Sequence, residues 1–176
     1  GATGASPLEI ASAYSVIANL GEYKRPFYVS KIEDYQGNVL YQNFIERENR
    51  FEPKDIYPLL DMMQGVMDNG SGKVIRRMGF KHPAGGKTGT TNSFRDAWFS
   101  GFTKDLTTSV WVGYDDNESM FRPNEKGVTG SHAAGPIWGL VMEKALEGRE
   151  EVNFPVPTGI RFEYVNSSDG FYEPKS

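Results

Sequence analysis

The chain has 176 residues, a formal net charge of −4 and no cysteine, and 38% of its residues are hydrophobic. These values are typical of one soluble globular domain and exclude a disordered, collagen-like or disulfide-stapled protein. Lys and Arg are scattered and no apolar run reaches the roughly 18 residues of a membrane span, so we expect this segment to contact neither nucleic acid nor membrane. The chain starts at Gly1 and enters a helix pattern within a few residues, which suggests an excised piece of a longer chain.

The first half of the chain predicts a helix followed by a hairpin. Ser6-Pro7-Leu8-Glu9 has the pattern of a capping box, and the helix it begins is expected to run to Gly21. Residues 27–43 form two β-rich arms around Gln36-Gly37-Asn38, which predicts a hairpin. Its expected packing residues are Val29, Ile32, Val39 and Tyr41. The charged stretches 22–25 and 46–50 are expected to be solvated turns.

A second helix is predicted to start at an Asp55 cap, with Pro58 in its first turn. Its apolar stripe is expected to be core rather than a binding groove, and comprises Ile56, Leu59, Leu60, Met63 and Met67. Residues 71–86 are rich in glycine and basic residues without a clear period, so they are interpreted as a connecting loop.

The second half predicts an antiparallel meander followed by a helix. Residues 87–91, "DAWFSGF" and "TTSVWVGYD" have the composition of strands, and Thr103 to Leu106 form the connection between the last two. A polar loop, 115–132, precedes a helix that opens at Gly135-Pro136 and closes at Gly148. The expected core stripe of this helix is Ile137, Leu140, Val141 and Ala145. A weak strand is predicted at 160–165. Helices on both sides of antiparallel strands predict an α+β fold.

The stretch "AGGKTGTT", residues 84–91, carries the strongest chemical signal, and it allows two interpretations. A phosphate-binding loop needs a glycine five residues before Gly86 and a helix after Thr88. Lys81 stands at the first position, and Gly-Thr-Thr-Asn-Ser follows Thr88, so the phosphate loop is rejected.

An extended strand suits the same residues better. Main-chain groups of such an edge could pair with a peptide, and Gly89 would let a ligand approach closely. The period of two places Thr88 and Thr90 on one face, where two hydroxyls and a lysine cation can hold a carboxylate. Lys87 starts on the opposite face, so its participation requires strand twist or a long reach. The alternative to a binding strand is an ordinary solvent-facing strand without a ligand.

The longer context resembles one family. "GGKTGTTNSFRDAWFSGFTKDLTTSVWVGYDDN", "GASPLEIASAYSVIANLG", "MDNGSGKVI" and "AAGPIWGLVMEKAL" are similar, in this order, to segments of the class A penicillin-binding proteins, the bifunctional peptidoglycan synthases. The resemblance covers roughly residues 1–159 and implies the C-terminal portion of a transpeptidase domain, within the penicillin-binding and serine β-lactamase-like fold. The tail 160–176 has no assigned role.

The resemblance also implies roles for individual residues. Lys87 would supply positive potential, the hydroxyls of Thr88 and Thr90 would bind the carboxylate of a stem peptide or β-lactam, and the Thr90 N–H would be an oxyanion donor. Gly89 and Thr91 complete the implied binding strand. Arg95 and Asp96 are expected to be a structural pair or a brace, and Ser71 stands where a threonine is usual.

Two further motifs of the family are missing from this sequence. No serine has lysine three positions on, and none begins Ser-x-Asn. The resemblance implies that the nucleophilic serine lies before Gly1, in a missing N-terminal half that would be a partner of this chain, which alone would be inactive. The full-length protein would stand at the periplasmic face of the cytoplasmic membrane and carry a glycosyltransferase. Two alternatives remain: a non-catalytic scaffolding module and a fragment of a serine β-lactamase.

No cofactor or metal is expected. Residues 115–118 could suggest calcium, but Met120 stands where an EF-hand needs glycine, so a polar turn is favoured. His82 and His132 are fifty residues apart and are interpreted as exposed or locally bonded rather than as bases. Trp98, Trp111 and Trp138 are expected to anchor the core.

Overall fold

The structure, a computed structural model, describes residues 4–121 and 127–163. Helices and antiparallel strands alternate along them, so the predicted α+β fold is confirmed. The helices are α1 (Pro7–Ala18), α2 (Pro53–Asp68), α3 (Lys73–Arg77) and α4 (Gly135–Ala145), with a 3-10 turn at Asn92–Phe94 and a π-helical turn at Gly130–Ala134. The strands are β1 (Glu22–Lys24), β2 (Lys31–Glu33), β3 (Val39–Gln42), β4 (Arg47–Asn49), β5 (Gly85–Thr90), β6 (Asp96–Phe102) and β7 (Thr107–Gly113).

The largest sheet is the predicted meander, with strand order β5-β6-β7. Gly85 pairs with Phe102 and Thr90 with Ala97, and Asp96 pairs in turn with Gly113 on the other side of β6. Within the described residues β6 is therefore the middle strand and β5 an edge strand.

Successive side chains of β6 point to opposite faces of this sheet, and buried residues of β6 lie on both faces. Phe99 belongs to a cluster with Trp138, Met142, Ile75 and Met67, contributed by α2, α3 and α4. Phe102 belongs to a second cluster with Leu60, Met63 and Phe154, against which Tyr14 of α1 packs. The sheet is thus sandwiched between α1 on one side and α3 and α4 on the other, with α2 reaching both clusters.

The helix starts follow the sequence in one case and not in the other. The Ser6 hydroxyl accepts from the Glu9 N–H, and the Glu9 carboxylate accepts from the Ser6 N–H at 2.8 Å, so the predicted capping box of α1 is confirmed. The Ser6 N–H and the Ser6 hydroxyl, which also donates to the Glu9 carboxylate at 2.7 Å, hold the pKa of Glu9 below its ordinary value. The predicted Asp55 cap of α2 is wrong, because Glu52 is the N-cap and Asp55 lies in the first turn. Pro58 consequently lies inside the helix rather than in its first turn.

The strand pair of β1 and β4 and the helix α3 have no counterpart in the predictions. The charged stretches expected to be turns pair as strands β1 and β4, with Tyr23 opposite Glu48. Glu22 pairs with Lys24 of the same strand at 3.0 Å and with Arg47 of β4 at 3.8 Å, so one ion pair joins the two strands. Helix α3 interrupts the predicted loop 71–86 and buries Ile75 completely.

The predicted packing residues were wrong in the hairpin and in α4. The hairpin forms as β2 and β3, but Val29, Ile32, Val39 and Tyr41 are each 45–52% exposed. The four predicted core residues of α4 are also exposed, and its buried residues are Gly135, Trp138, Gly139 and Met142. In α2 the predicted stripe is buried except for Leu59. Of the tryptophans, Trp138 is fully buried, whereas Trp98 and Trp111 are half-buried.

The part of the chain that follows α4 contains no further helix or strand within the described residues. Residues 160–163 are not a strand, and the remainder of the strand predicted at 160–165 lies outside the described residues. No helix in 4–121 or 127–163 has both the length and the apolar character needed to cross a bilayer.

The packing predicts unequal costs for two substitutions in α4. Trp138→Ala removes a fully buried ring that contacts Phe99 and Phe80, and should lower the free energy of unfolding by about 3–5 kcal/mol. Leu140→Ala, at a position 63% exposed, should change it by less than about 0.5 kcal/mol. Urea denaturation of the two variants measures the difference, and equal effects would contradict the described orientation of α4.

Candidate active site

The backbone of β5 presents every second residue to the open edge of the sheet. The Thr91 N–H donates to the Asp96 carbonyl at 3.1 Å, which makes this a hydrogen-bonded pair. Because such pairs alternate in an antiparallel ladder, Gly89 also bonds to β6, whereas the N–H and C=O groups of Thr88 and Thr90 point away from it. Within the described residues no other strand pairs with that edge.

The Lys87 side chain reaches this edge in spite of the strand alternation. Its Nζ donates to the Thr88 carbonyl at 3.1 Å and lies 3.4 Å from the Thr88 Oγ1. The reach of the side chain thus brings the Lys87 ammonium to Thr88. A cation, a hydroxyl and outward main-chain groups are thereby brought together at one exposed position of β5.

The Thr88 hydroxyl has a second polar neighbour, Ser71, from the turn between α2 and α3. The two hydroxyl oxygens lie 2.8 Å apart. Ser71 is held in turn by Ser131, whose Oγ donates to the Ser71 carbonyl at 2.8 Å. The resemblance had marked Ser71 only as a conservative exchange, and no feature of the sequence indicates the contact with Ser131.

The Thr90 hydroxyl is fixed by the π-helical turn that precedes α4. The Gly130 N–H donates to the Thr90 Oγ1 at 3.0 Å. A Cβ at Gly130 would lie 2.3 Å from the Trp98 carbonyl oxygen and 2.6 Å from that of Gly89, so only glycine permits this approach. Since the Gly130 bond occupies one lone pair of the oxygen, the Thr90 hydroxyl proton remains available for an acceptor.

Asp96 braces the end of the strand. Its N–H donates to the Thr91 Oγ1 at 2.8 Å, the Thr91 hydroxyl donates to its carboxylate at 3.1 Å, and the Trp111 Nε1–H donates to the other carboxylate oxygen at 2.8 Å. Arg95 instead donates to the Asn117 carbonyl at 3.1 Å. The two residues therefore act separately, with Asp96 as the brace and Arg95 bonded to the next loop.

The remaining candidates lie outside this cluster. The His132 Nδ1 is 3.0 Å from the Thr129 hydroxyl, and the His82 ring packs beside Phe80. Arg76 lines a surface pocket together with Asp68, but it is already bonded to the Asp68 carboxylate and to the carbonyls of Phe80 and His82. None of the residues lining that pocket belongs to the Lys87–Thr91 strand.

Comparisons with known sequences match most of this chain to one family. The profile of the penicillin-binding protein transpeptidase domain matches residues 1–143. Penicillin-binding protein 1A of Aquifex aeolicus is 39% identical over 152 residues, which cover 86% of this chain and 20% of that protein. The chain therefore spans about a fifth of the length of this curated relative.

Solved structures give the same result. The crystal structure of penicillin-binding protein 1A from Haemophilus influenzae superposes with a TM-score of 0.88 at 25% identity, covering 99% of this chain and 31% of that one. The PonA1 protein from Mycobacterium tuberculosis in complex with penicillin V gives a TM-score of 0.75 at 26% identity, covering 97% and 44%. The fold is thus shared along nearly the whole chain.

The close approach of Gly130 to the strands predicts a steric effect. Gly130→Ala should lower the free energy of unfolding by about 1–3 kcal/mol, because the clash is with backbone and not with a flexible side chain. Gly65→Ala is the matched control, since Gly65 lies inside α2 with open space around its missing Cβ. It should raise stability by about 0.5–1 kcal/mol. Thermal or urea unfolding measures both, and a neutral Gly130→Ala would contradict the described packing.

Proposed function

Because this chain belongs to the penicillin-binding protein transpeptidase domain family, we propose that it is the C-terminal part of a D,D-transpeptidase that cross-links peptidoglycan stem peptides and is acylated by β-lactams. The transpeptidase and peptidoglycan-synthesis assignments belong to the family. The specific reaction and the contribution of this segment to it are the proposal.

In the proposed reaction, a serine outside this chain attacks the carbonyl carbon of the penultimate D-alanine of a stem peptide. An acyl-serine ester forms, the bond to the terminal D-alanine breaks, and the acyl group then passes to an amine of a neighbouring strand. A β-lactam would be attacked in the same way but would remain attached. This chain would contribute the groups that hold the substrate and stabilise the developing negative charge.

Each of those groups has a position consistent with its role. The Lys87 ammonium, at 3.4 Å from the Thr88 hydroxyl, would attract the substrate carboxylate, and the Thr88 and Thr90 hydroxyls would donate to it. The outward-pointing Thr90 N–H would donate to the oxyanion. Gly89 and Thr91 would line the path of the peptide, which would extend the sheet at the edge of β5.

The observation that carries the proposal is that the Lys87 ammonium and the Thr88 hydroxyl meet at the open edge of β5. Two residues further along the same strand, the Thr90 hydroxyl is held in place by the Gly130 N–H. An ordinary solvent-facing strand would not require the Gly130 contact that holds Thr90. The same geometry fits a stem peptide ending in a carboxylate better than a cationic or neutral chain end, because the converging groups are a cation and hydrogen-bond donors.

We further propose that the acyl-accepting serine belongs to an N-terminal half of the domain, and that the whole protein works at the periplasmic face of the cytoplasmic membrane with a glycosyltransferase unit. The length of the relatives supports a larger parent protein. Residues 1–159 would form the C-terminal portion of its transpeptidase domain, and the role of 160–176 is left unassigned.

The first test separates this chain from its parent. The isolated chain should acquire no covalent label from a fluorescent penicillin, because carboxylate-binding hydroxyls cannot replace an acyl-accepting serine. The parent protein should be labelled under the same conditions, as read by gel fluorescence. A covalent label on the isolated chain would refute the proposed division of labour. An unlabelled parent would favour the scaffolding alternative, whereas rapid turnover of nitrocefin would favour a β-lactamase.

The second test addresses the cation. In the parent, Lys87→Ala should slow acylation by benzylpenicillin by about a hundredfold or more, because a preorganised charge at the reacting site is lost. Lys81→Ala removes an exposed lysine of the loop before β5 and should leave the rate within about twofold. Labelling reactions quenched at successive times give the acylation rates of the two variants. Equal effects of the two substitutions would rule out a local role for Lys87.

A further inference from the structure

Three residues beside β5, Ser131, Ser71 and Thr88, are linked by two hydrogen bonds. Ser131 donates to the Ser71 carbonyl at 2.8 Å, and the Ser71 hydroxyl lies 2.8 Å from that of Thr88. Only Thr88 belongs to the strand proposed to bind substrate. Ser71 comes from the turn after α2, and Ser131 from the π-helical turn before α4.

The number of hydroxyl protons limits the hydrogen bonds that Ser71 and Thr88 can make together. Each hydroxyl has one proton and two acceptor lone pairs, and one of the two protons is used in the bond between them. The Lys87 ammonium also approaches the Thr88 oxygen, at 3.4 Å, and can only donate. When Ser71 donates as well, both lone pairs of Thr88 are occupied, and its own proton is directed to a third group.

A bound carboxylate would select this arrangement. An anionic acceptor takes the Thr88 proton in a charge-assisted bond, which is stronger than the hydroxyl-to-hydroxyl bond it replaces. Ser71 then remains as the donor to Thr88, and each bond of the chain polarises the next. Without Ser71 the Thr88 hydroxyl would keep its proton but lose the partner that fixes its rotamer.

The same turn before α4 orients both proposed carboxylate ligands. Gly130 donates its N–H to Thr90, and the neighbouring Ser131 holds the carbonyl of Ser71, which contacts Thr88. Gly130 is buried against the backbone of Gly89 and Trp98, so this turn is packed directly on the sheet. The positions of the Thr88 and Thr90 hydroxyls therefore both depend on this turn.

We infer that Ser71 is a positioning residue for carboxylate recognition: it donates to Thr88 and holds the Thr88 hydroxyl in the orientation that binds the substrate or β-lactam carboxylate, with Ser131 fixing Ser71. The inference rests on the proposed function of the Lys87–Thr91 strand. It assigns Ser71 no contact with the reacting carbonyl, so its effect should depend on the ligand's carboxylate.

The experiment compares benzylpenicillin with its methyl ester, which lacks the negative charge, as acylating agents of the parent protein. Ser71→Ala should lower the second-order acylation rate for benzylpenicillin by about three- to tenfold, the range expected for one lost hydrogen bond. The rate for the ester should change by less than about twofold. Ser71→Thr keeps a hydroxyl and should restore the rate for benzylpenicillin. Ser131→Ala should act in the same direction as Ser71→Ala and more weakly.

A double-mutant cycle with Thr88→Ala separates positioning from a structural effect. The loss caused by Ser71→Ala should largely disappear in the Thr88→Ala background, because the residue that it positions is gone. The control is Ser15→Ala, which removes a serine hydroxyl that bonds to a carbonyl inside α1, and it should leave both rates unchanged.

The outcomes divide cleanly. Equal losses for benzylpenicillin and its ester, or additive losses in the cycle, would show a structural role and overturn the inference while leaving the proposed function intact. A wild-type parent that no β-lactam acylates would overturn both proposals together. Three results together would establish the inference. Ser71→Ala slows acylation by benzylpenicillin but not by its ester, Ser71→Thr keeps the wild-type rate, and Ser71→Ala has no further effect in the Thr88→Ala background.

Discussion

The site depends on the register between β5 and β6. The Thr91 and Asp96 pair fixes that register through one main-chain bond, one bond from the Asp96 N–H to the Thr91 hydroxyl and one bond between the two side chains. Trp111 holds the Asp96 carboxylate from the third strand. A slip of one residue would exchange the groups that face the ladder with those that face the open edge. The Thr88 and Thr90 main-chain groups would then pair with β6, and the hydroxyls of these two residues would turn away from Ser71 and Gly130.

The strands and helices that carry the sheet could be predicted because their signals are local. The capping box at Ser6 and the aromatic, β-branched runs at 96–102 and 107–113 contain all the information that those elements need. The hairpin forms as predicted, but the expected burial of its apolar residues was wrong, because an apolar arm is buried only where a partner surface exists and none covers it within the described residues. In α4 the buried face was set by Trp138 and by the close packing of Gly139 against Ile75, which tertiary contact decides and periodicity does not.

The candidate site shows the same division. Sequence alone selected Lys87 to Thr91, and it stated the orientation problem of Lys87 without solving it, because the reach of a flexible side chain is not encoded in strand alternation. Ser71 and Gly130 lie 17 and 40 residues away from the threonines they contact, so only the folded chain shows these pairings. The charged strands β1 and β4 were missed for a related reason: each is three residues long, and its partner lies on the far side of the intervening hairpin.

Helix α2 has a consequence for how order is lost in this protein. Its Met67 belongs to the cluster on one side of the sheet, and its Leu60 and Met63 belong to the cluster on the other. Neither layer can loosen without withdrawing side chains from the opposite one, so the two layers are coupled in a single cooperative unit. We therefore expect the strand that presents Lys87 and the threonines to stay formed until the whole unit unfolds, and the exposed hairpin, which contributes no residue to either cluster, to open independently.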